Sequence, residues 1–383
     1  MVAAVGEMAM PNGQLALVIC TYNRSASLIE TLRSIYACGH AGDEIIDVLV
    51  VANNCSDDTI ARLADFQAAH PASHLSLSWI EEPRAGKSHA LNAAIAHTRH
   101  DVLCFIDDDQ TVEPGFLAAL TDGLRTHPED AIYCGRIWPA WDGSEPDWVH
   151  TEGEYAIPIR PFPEFDLGPD SMVLAAHARL PSGGNIAVRR QVFESIGTFS
   201  VELGPTGHNL AGGEDHDFLR RAVTQAFTVR YLPAMRQLHA IDAARMETGY
   251  TLRKSFSRSR AQILIRRTHR QPQPYMFSKI IRHLGSAVFT LDSRRRFFFL
   301  VRLSASLGEL AGTIDTMRAS VPARLSLPPD RGMIQVEWLG IFTLAAALTA
   351  WFAAGDARWS GLLPVIAVSG IGTLSLLIKS VFD

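Results

Sequence analysis

Cysteine is scarce in this 383-residue chain, and its five copies (Cys20, Cys38, Cys55, Cys104, Cys134) are odd in number and never spaced C-x-x-C. No disulfide framework is implied. Cys20 and Cys104 lie in apolar, strand-like runs and read as small buried thiols in a reducing compartment. The N-terminal stretch MVAAVGEMAMPNGQ has no basic flank before an apolar core, so no secretory signal is expected there. A glycine-rich phosphate loop is missing as well. The first apolar run ends in CTYNR, and the Gly86-Lys87 pair lacks the G-x-x-x-x-G spacing of a P-loop. No internal repeat is evident.

What the chain does have is apolar content and a divided charge. Hydrophobic residues make up 47% and charged ones 20%, which excludes disordered and fibrous classes. Residues 1–249 carry 17 Lys and Arg against 33 Asp and Glu, a balance of −16, whereas residues 250–331 carry 16 against 4, a balance of +12. Two parts with opposite charge have different partners.

Short runs rich in Val, Ile and Leu recur at 15–20, 45–51, 75–80 and 102–106, as in buried parallel strands. Between them lie helical patterns, one with Leu28, Leu32, Ile35 and Tyr36 on a face after Ser25, another with Ala90, Leu91, Ala94 and Ile95 after Gly86. The fold class expected is α/β, a doubly wound, mostly parallel sheet with flanking helices. Ligands of such sheets bind beyond the carboxyl ends of the strands. Residues 138–182, rich in Pro, Trp and acids, are expected as long loops over that site. Order returns at 183–190, with a helix from about Glu214 to Ala226 and a strand at 228–231.

The expected domains are 1–249 catalytic, 250–333 basic and helical, and 334–383 a two-helix membrane anchor. In the last, 338–354 and 362–378 are uncharged runs of 17 residues each. At ~1.5 Å per residue each spans ~26 Å, near the lower limit for a hydrocarbon core of ~30 Å. A buried helical hairpin would show a polar stripe, and these runs show almost none. The basic segment before them and Lys379 after them place both ends of the hairpin on the cytoplasmic side, although Arg358 in the connecting turn opposes that orientation. Within the basic segment, Arg294–Arg296 followed by Phe297–Phe299 suggests an interfacial element on anionic lipid rather than a nucleic-acid reader.

Three polar clusters stand at strand ends or helix starts. Thr21-Tyr22-Asn23-Arg24 and Asn53-Asn54-Cys55-Ser56-Asp57 suit a base and ribose, though loops after strands are polar anyway. Asp107-Asp108-Asp109 ends the fourth strand, where three adjacent carboxylates repel one another unless a cation or hydrogen bonds compensate. Extended backbone would put Asp107 and Asp109 on one face, a hard-cation site with vacancies for diphosphate oxygens; a solvated acidic turn is the alternative. Glu214 and Asp215 open a helix behind Gly212-Gly213, whose freedom lets the backbone approach a ligand closely. Acids are also ordinary partners of a helix N-terminus. Arg84 and Lys87 either flank the phosphates of a bound ligand or form a solvated basic turn.

The ordered set TYNR (21–24), V-x-N-N-x-S-D-D-T (51–59), FIDDD (105–109) with Pro114, PSGGNIAVRR (181–190), GGED (212–215), and His239 and Arg245 after YLP (231–233) resembles family 2 glycosyltransferases of the GT-A fold over roughly residues 13–260. The resemblance implies an inverting enzyme with a nucleotide-diphospho-sugar donor, a hydroxyl acceptor and a divalent metal (Mg²⁺ or Mn²⁺). Thr21 and Asn53 would contact the nucleoside. Asp107 and Asp109 would match the D-x-D motif for ribose and metal, Asp215 would be the general base, and His239 would be an added metal ligand or merely structural. Ala52 stands where many relatives carry an acid, which puts uridine preference in doubt. Between 240 and 270 nothing matches the Q-x-x-R-W of polymerising members, so one sugar per binding event is expected. A silent nucleotide-sugar binder, or a nucleotidyltransferase on a related sheet, are the competing readings.

Overall fold

Period-two alternation inside continuous apolar runs is the feature that builds the first part of the molecule. In the computed structural model, which describes residues 15–38, 45–71, 74–175, 177–204, 213–266 and 271–319, two compact units are distinguished. The first runs through residue 146 and resumes at Arg160–Ala243; the second takes Asp147–Ile159 and the chain from Ala244 onward. The two uncharged runs at 338–354 and 362–378, the N-terminal stretch before residue 15, and Gly212 lie outside the described residues.

The first unit runs β1 (Leu15–Thr21), α1 (Ser25–Ala37), β2 (Ile46–Asn53), α2 (Thr59–Ala69), β3 (Leu75–Glu82), α3 (Lys87–His97), β4 (Val102–Asp107), β5 (Gln110–Val112), α4 (Phe116–Thr126), β6 (Ile132–Pro139), β7 (Met172–Val173), β8 (Asn185–Arg189), α5 (Arg190–Ile196), α6 (Glu214–Thr224) and β9 (Val229–His239). The strand order is β3-β2-β1-β4-β8-β6-β9-β5, with β7 on β9. Strands β1 to β4 pair in parallel and β8 runs against both β4 and β6. Leu17, Ile19, Val48, Val50, Cys104 and Ile106 face α1, α2 and α4, while Val18, Leu49, Val51, Leu103 and Phe105 face α3, α5 and α6. Both faces are covered, which is why the runs read as unbroken apolar stretches. Each fully buried side chain contributes roughly 1.5–3 kcal/mol.

Strand β9 continues to His239, eight residues beyond Tyr231, where the strand expected from the sequence pattern ends. Pro233 and the polar Arg236 and Gln237 hide it in the sequence. A register shift at Gly135/Arg136 of β6 skips 233–235, and Gly135 is required because a Cβ there would collide with the Met235 carbonyl. Among the described residues of 140–182, the regular elements are a 3₁₀ turn at Asp147–His150 and β7; Trp138 and Pro139 still belong to β6.

The second unit contains α7 (Thr248–Arg266), α8 (Pro274–Phe289) and α9 (Ser293–Ala319), with α9 packed on both others. A Cβ on Gly308 would collide with the Phe256 carbonyl, and one on Gly312 would lie 2.7 Å from the Arg260 carbonyl. Ser255 and Ser304 hydroxyls donate across the same seam to Val301 and Leu252 carbonyls, at 3.0 and 2.7 Å. Ser293–Met317 is long and apolar enough to cross a membrane by length and composition. It nevertheless carries Glu309 paired with Lys279 and Asp315 paired with Arg260. Phe297 packs edge-on against Trp148, and Phe298 and Phe299 against Tyr155. The aromatic triplet is thus engaged inside this unit rather than displayed as an interfacial element.

Candidate active site

Register alone brings the polar clusters to one edge. Cys20 pairs with Asp107, Thr21 with Ala52, and Asn53 with Glu82, so β1 to β4 end side by side. The antiparallel β8 begins there, with Asn185 opposite Ile106. Strand β9 finishes there too, with His239 opposite Gln110 and Pro139.

Several of the residues expected at the donor are engaged by the scaffold. The buried Asn53 amide donates to the Glu82 and Arg84 carbonyls (3.1 and 2.7 Å) and accepts from the Gly86 N–H (2.8 Å). Both ends of that amide are satisfied, so its role is to hold the 82–86 loop rather than to reach a base. Asp57 accepts from the Thr59 and Ser25 N–H groups, each at 3.2 Å, and ties α1 to the start of α2. Asn23, at φ +50°, accepts from the Ser56 and Asp57 N–H groups. Arg84 is largely exposed and paired with Glu82 at 2.7 Å. Tyr22 is half-buried in the loop after β1.

The acidic triplet does not follow the alternation expected of a strand. Extended backbone ends at Asp107, and Asp108 and Asp109 lie in a turn. Asp108 therefore turns inward, where it accepts from the Thr21 hydroxyl at 2.7 Å. One Arg24 nitrogen bridges Asp108 (3.2 Å) and Asp109 (2.9 Å). Burial, and then the neighbouring Asp109 charge, push the Asp108 carboxyl up to about 6, with Arg24 and Thr21 opposing. His239 is buried with its Nε2 3.3 Å from an Asp109 oxygen. Its Nδ1 lies 2.7 Å from the Ala240 carbonyl, which can only accept, so in the neutral ring the lone pair sits on Nε2. The Asp109 carboxylate and the His239 imidazole are donor types that a divalent metal takes.

Beside the triplet is a small cavity lined by Cys20, Lys87, Asp107, Gly183, Glu214 and Asp215, with Phe105 and Phe199 among its apolar walls. Lys87, the first residue of α3, donates to Asp107 at 2.6 Å and is not a solvated turn cation. Burial alone would lower its pKa, but Asp107, Glu214 and Asp215 outweigh that and raise it. Gly213, at φ +109°, caps α6 in a conformation that strains any other residue, and so delivers Glu214 and Asp215 to the cavity. Asp215 accepts from the Gly183 and His216 N–H groups, each at 2.7 Å. Glu214 is buried, with Oε2 lacking a hydrogen-bond partner among the described residues. Burial first, and then the Asp215 charge, push its carboxyl up to about 7.

The glycine pair of PSGGNIAVRR, just before β8, sits against the Asp107 and Asp215 carboxylates. A Cβ on Gly183 would lie 2.9 Å from the Asp215 Cβ, and one on Gly184 would collide with the Asp107 carboxylate and the Gln110 amide. Two adjacent residues thus touch the two carboxylates, one each. Gln110 and Cys20, also beside Asp107, were missed because neither residue type signals a site.

Among the described residues, the one group of three or more His, Cys, Asp or Glu whose ligand atoms all lie within 4.8 Å of one another is His127, Glu129 and Asp130. They precede β6, at the opposite end of the sheet from Asp107, and Asp130 is already paired with Arg230. That group is separate from the cavity.

The family model described as "Glycosyltransferase like family 2" matches residues 11–271. The chain belongs to that family, and its mostly parallel sheet sets antiparallel β8 beside parallel β3-β2-β1-β4 with helices on both faces. It is 26% identical over 229 residues to the succinoglycan biosynthesis protein ExoM of Rhizobium meliloti (58% of this chain, 66% of that protein). It is 25% identical over 199 residues to a glucosyl-dolichyl phosphate glucuronosyltransferase of Haloferax volcanii (51% and 58%). The chain thus spans from somewhat over half to just under two thirds of these curated relatives. Among solved structures, a mannosyltransferase from Pyrobaculum calidifontis in complex with GDP-Man and Mn²⁺ aligns at a TM-score of 0.45 and 17% identity, covering 95% of this chain and 87% of that one.

Proposed function

We propose that the chain transfers a single sugar, with inversion, from a nucleotide-diphosphate donor to a hydroxyl acceptor, with the help of Mg²⁺ or Mn²⁺. The observation that carries this reading is that Asp107 and Asp215 line one cavity, with Gly183 and Gly184 touching one carboxylate each. Asp107, Asp109 and His239 would hold the cation, and Thr21, Arg24 and Lys87 neutralise or orient the carboxylates around it. A bound divalent ion stabilises the charge that builds on the departing phosphate. Asp215 takes the proton of the acceptor hydroxyl as the new bond to the anomeric carbon forms and the bond to the diphosphate oxygen breaks. Such general-base assistance contributes ~10²–10⁴-fold. Attack opposite the leaving group inverts that carbon.

A lipid-linked or polysaccharide hydroxyl at the cytoplasmic membrane face fits the names of the two curated relatives and the apolar runs of the C-terminal region. The test is a panel of nucleotide sugars scored for metal-dependent turnover. Turnover that needs metal and falls at least ~100-fold in Asp215→Asn is expected. Binding of a donor without turnover by the unsubstituted chain would instead make it a silent nucleotide-sugar binder, and turnover intact in Asp109→Ala would remove the metal role.

A further inference from the structure

The second unit displays an apolar tip whose exposure the fold does not explain. Helix α8 carries two apolar stripes. Met276, His283 and Ala287 are buried, and His283 meets Ser306 of α9 at 3.2 Å. Phe277, Ile281 and Val288 form the other stripe, at i, i+4 and i+11, and all three are exposed. Exposure climbs toward the α8–α9 turn, from 63% at Val288 to 82% at Phe289 and 92% at Leu291. Contiguous exposed apolar residues of this size mark an interaction surface.

The turn is built, not loose. The Thr290 carbonyl accepts from Arg296 Nε and Nη2 at 3.1 and 3.0 Å, and Asp292 caps α9 by accepting from the Arg295 N–H at 2.8 Å. Around it, residues 271–319 carry seven Lys and Arg against three acids, and α7 carries five cations and no acid. Arg282, Arg294, Arg295 and Arg296 are exposed about the tip, with Arg294 reaching Asp147. An apolar turn with exposed arginines on the adjoining helices complements an anionic bilayer, where apolar side chains enter the acyl boundary and cations meet headgroups. A second copy of the same tip would bring like charges together.

We infer that the Phe289–Leu291 turn inserts into the surface of an anionic lipid bilayer, with Arg282 and Arg294–Arg296 on the headgroups. This rests on the membrane-face reading of the function and names the part of the chain that enters the lipid.

The test uses the full chain with an environment-sensitive fluorophore on Leu291→Cys. Glu30→Cys in α1 serves as the remote control, and the unsubstituted chain as the blank for native cysteines. Vesicles of phosphatidylcholine alone, or mixed with phosphatidylglycerol, contain lipids spin-labelled high on the acyl chain. Quenching at position 291, at least threefold greater in the mixed vesicles and absent at position 30, is the expected result. Arg282→Gln with Arg294→Gln should return quenching to the level of phosphatidylcholine alone. Co-sedimentation without quenching at 291 overturns the insertion and leaves the membrane reading standing; failure to co-sediment at all overturns both. Cross-linking from position 291 to a second chain, or to residues 320–383, would show that the tip is covered by protein and also overturns the inference.

Discussion

Replacing Glu214 by glutamine should remove one contribution by which the first unit loses stability as pH rises. Glu214 is buried beside Asp215 with one oxygen lacking a hydrogen-bond partner among the described residues, and its carboxyl is pushed from 4.5 to about 7. The folded chain therefore keeps a proton that the unfolded chain gives up. Its contribution is fully present below about 4.5 and is lost as pH rises through about 7. At ~1.4 kcal/mol per unit, that 2.5-unit difference is about 3 kcal/mol. Glutamine has nearly the same shape and stays neutral, so it does not share this loss. The stability of Glu214→Gln minus that of the unsubstituted chain should rise by about 3 kcal/mol between pH 4.5 and 8.5, or ~6–12 °C in Tm for a unit of this size. Thermal unfolding of both proteins across that range measures it, and titrations elsewhere cancel in the difference. Adding Asp215→Asn should shrink the rise without abolishing it, because burial is the larger cause and the Asp215 charge the second. A difference that stays flat across this range would refute the burial argument.

Gly184→Ala should cut turnover by at least ~10²-fold while leaving Tm within a few degrees, because its Cβ displaces the Asp107 carboxylate and Gln110; kinetics with saturating metal check this. His239→Ala should weaken metal affinity by ~10–100-fold, read by titrating Mn²⁺ against donor turnover or by calorimetry with Mn²⁺ alone. Gly308→Ala should destabilise the helical unit by ~1–3 kcal/mol, since the Phe256 carbonyl occupies the space its methyl needs, and protease susceptibility of α7–α9 would report it. Lys87→Met removes the partner of the partly exposed Asp107 and should lower stability by ~1–3 kcal/mol unless metal is added, a rescue that thermal unfolding with and without Mn²⁺ would reveal.

Legibility followed local chemistry. Short Val/Ile/Leu runs announced β1 to β4 because strands covered on both faces need apolar residues at every position, and Gly213 ahead of two acids announced the start of α6. The end of β9 did not announce itself. Its pairing depends on a shift opposite Gly135, a contact between segments about a hundred residues apart. In the same way, Asn53 looked available for a nucleoside until the 82–86 loop folded onto both ends of its amide.

Periodicity and composition by themselves determined the layered α/β class, the edge at which polar clusters collect and the change of charge near residue 250, because these depend only on the order of residue types along the chain. Tertiary structure alone decided that Asp108 turns inward, that Lys87 pairs with Asp107 rather than with solvent, and that Phe297–Phe299 pack while Phe289 and Leu291 stand out. Each of those outcomes is set by which distant side chain arrives within a few ångströms, and residue order does not encode that distance.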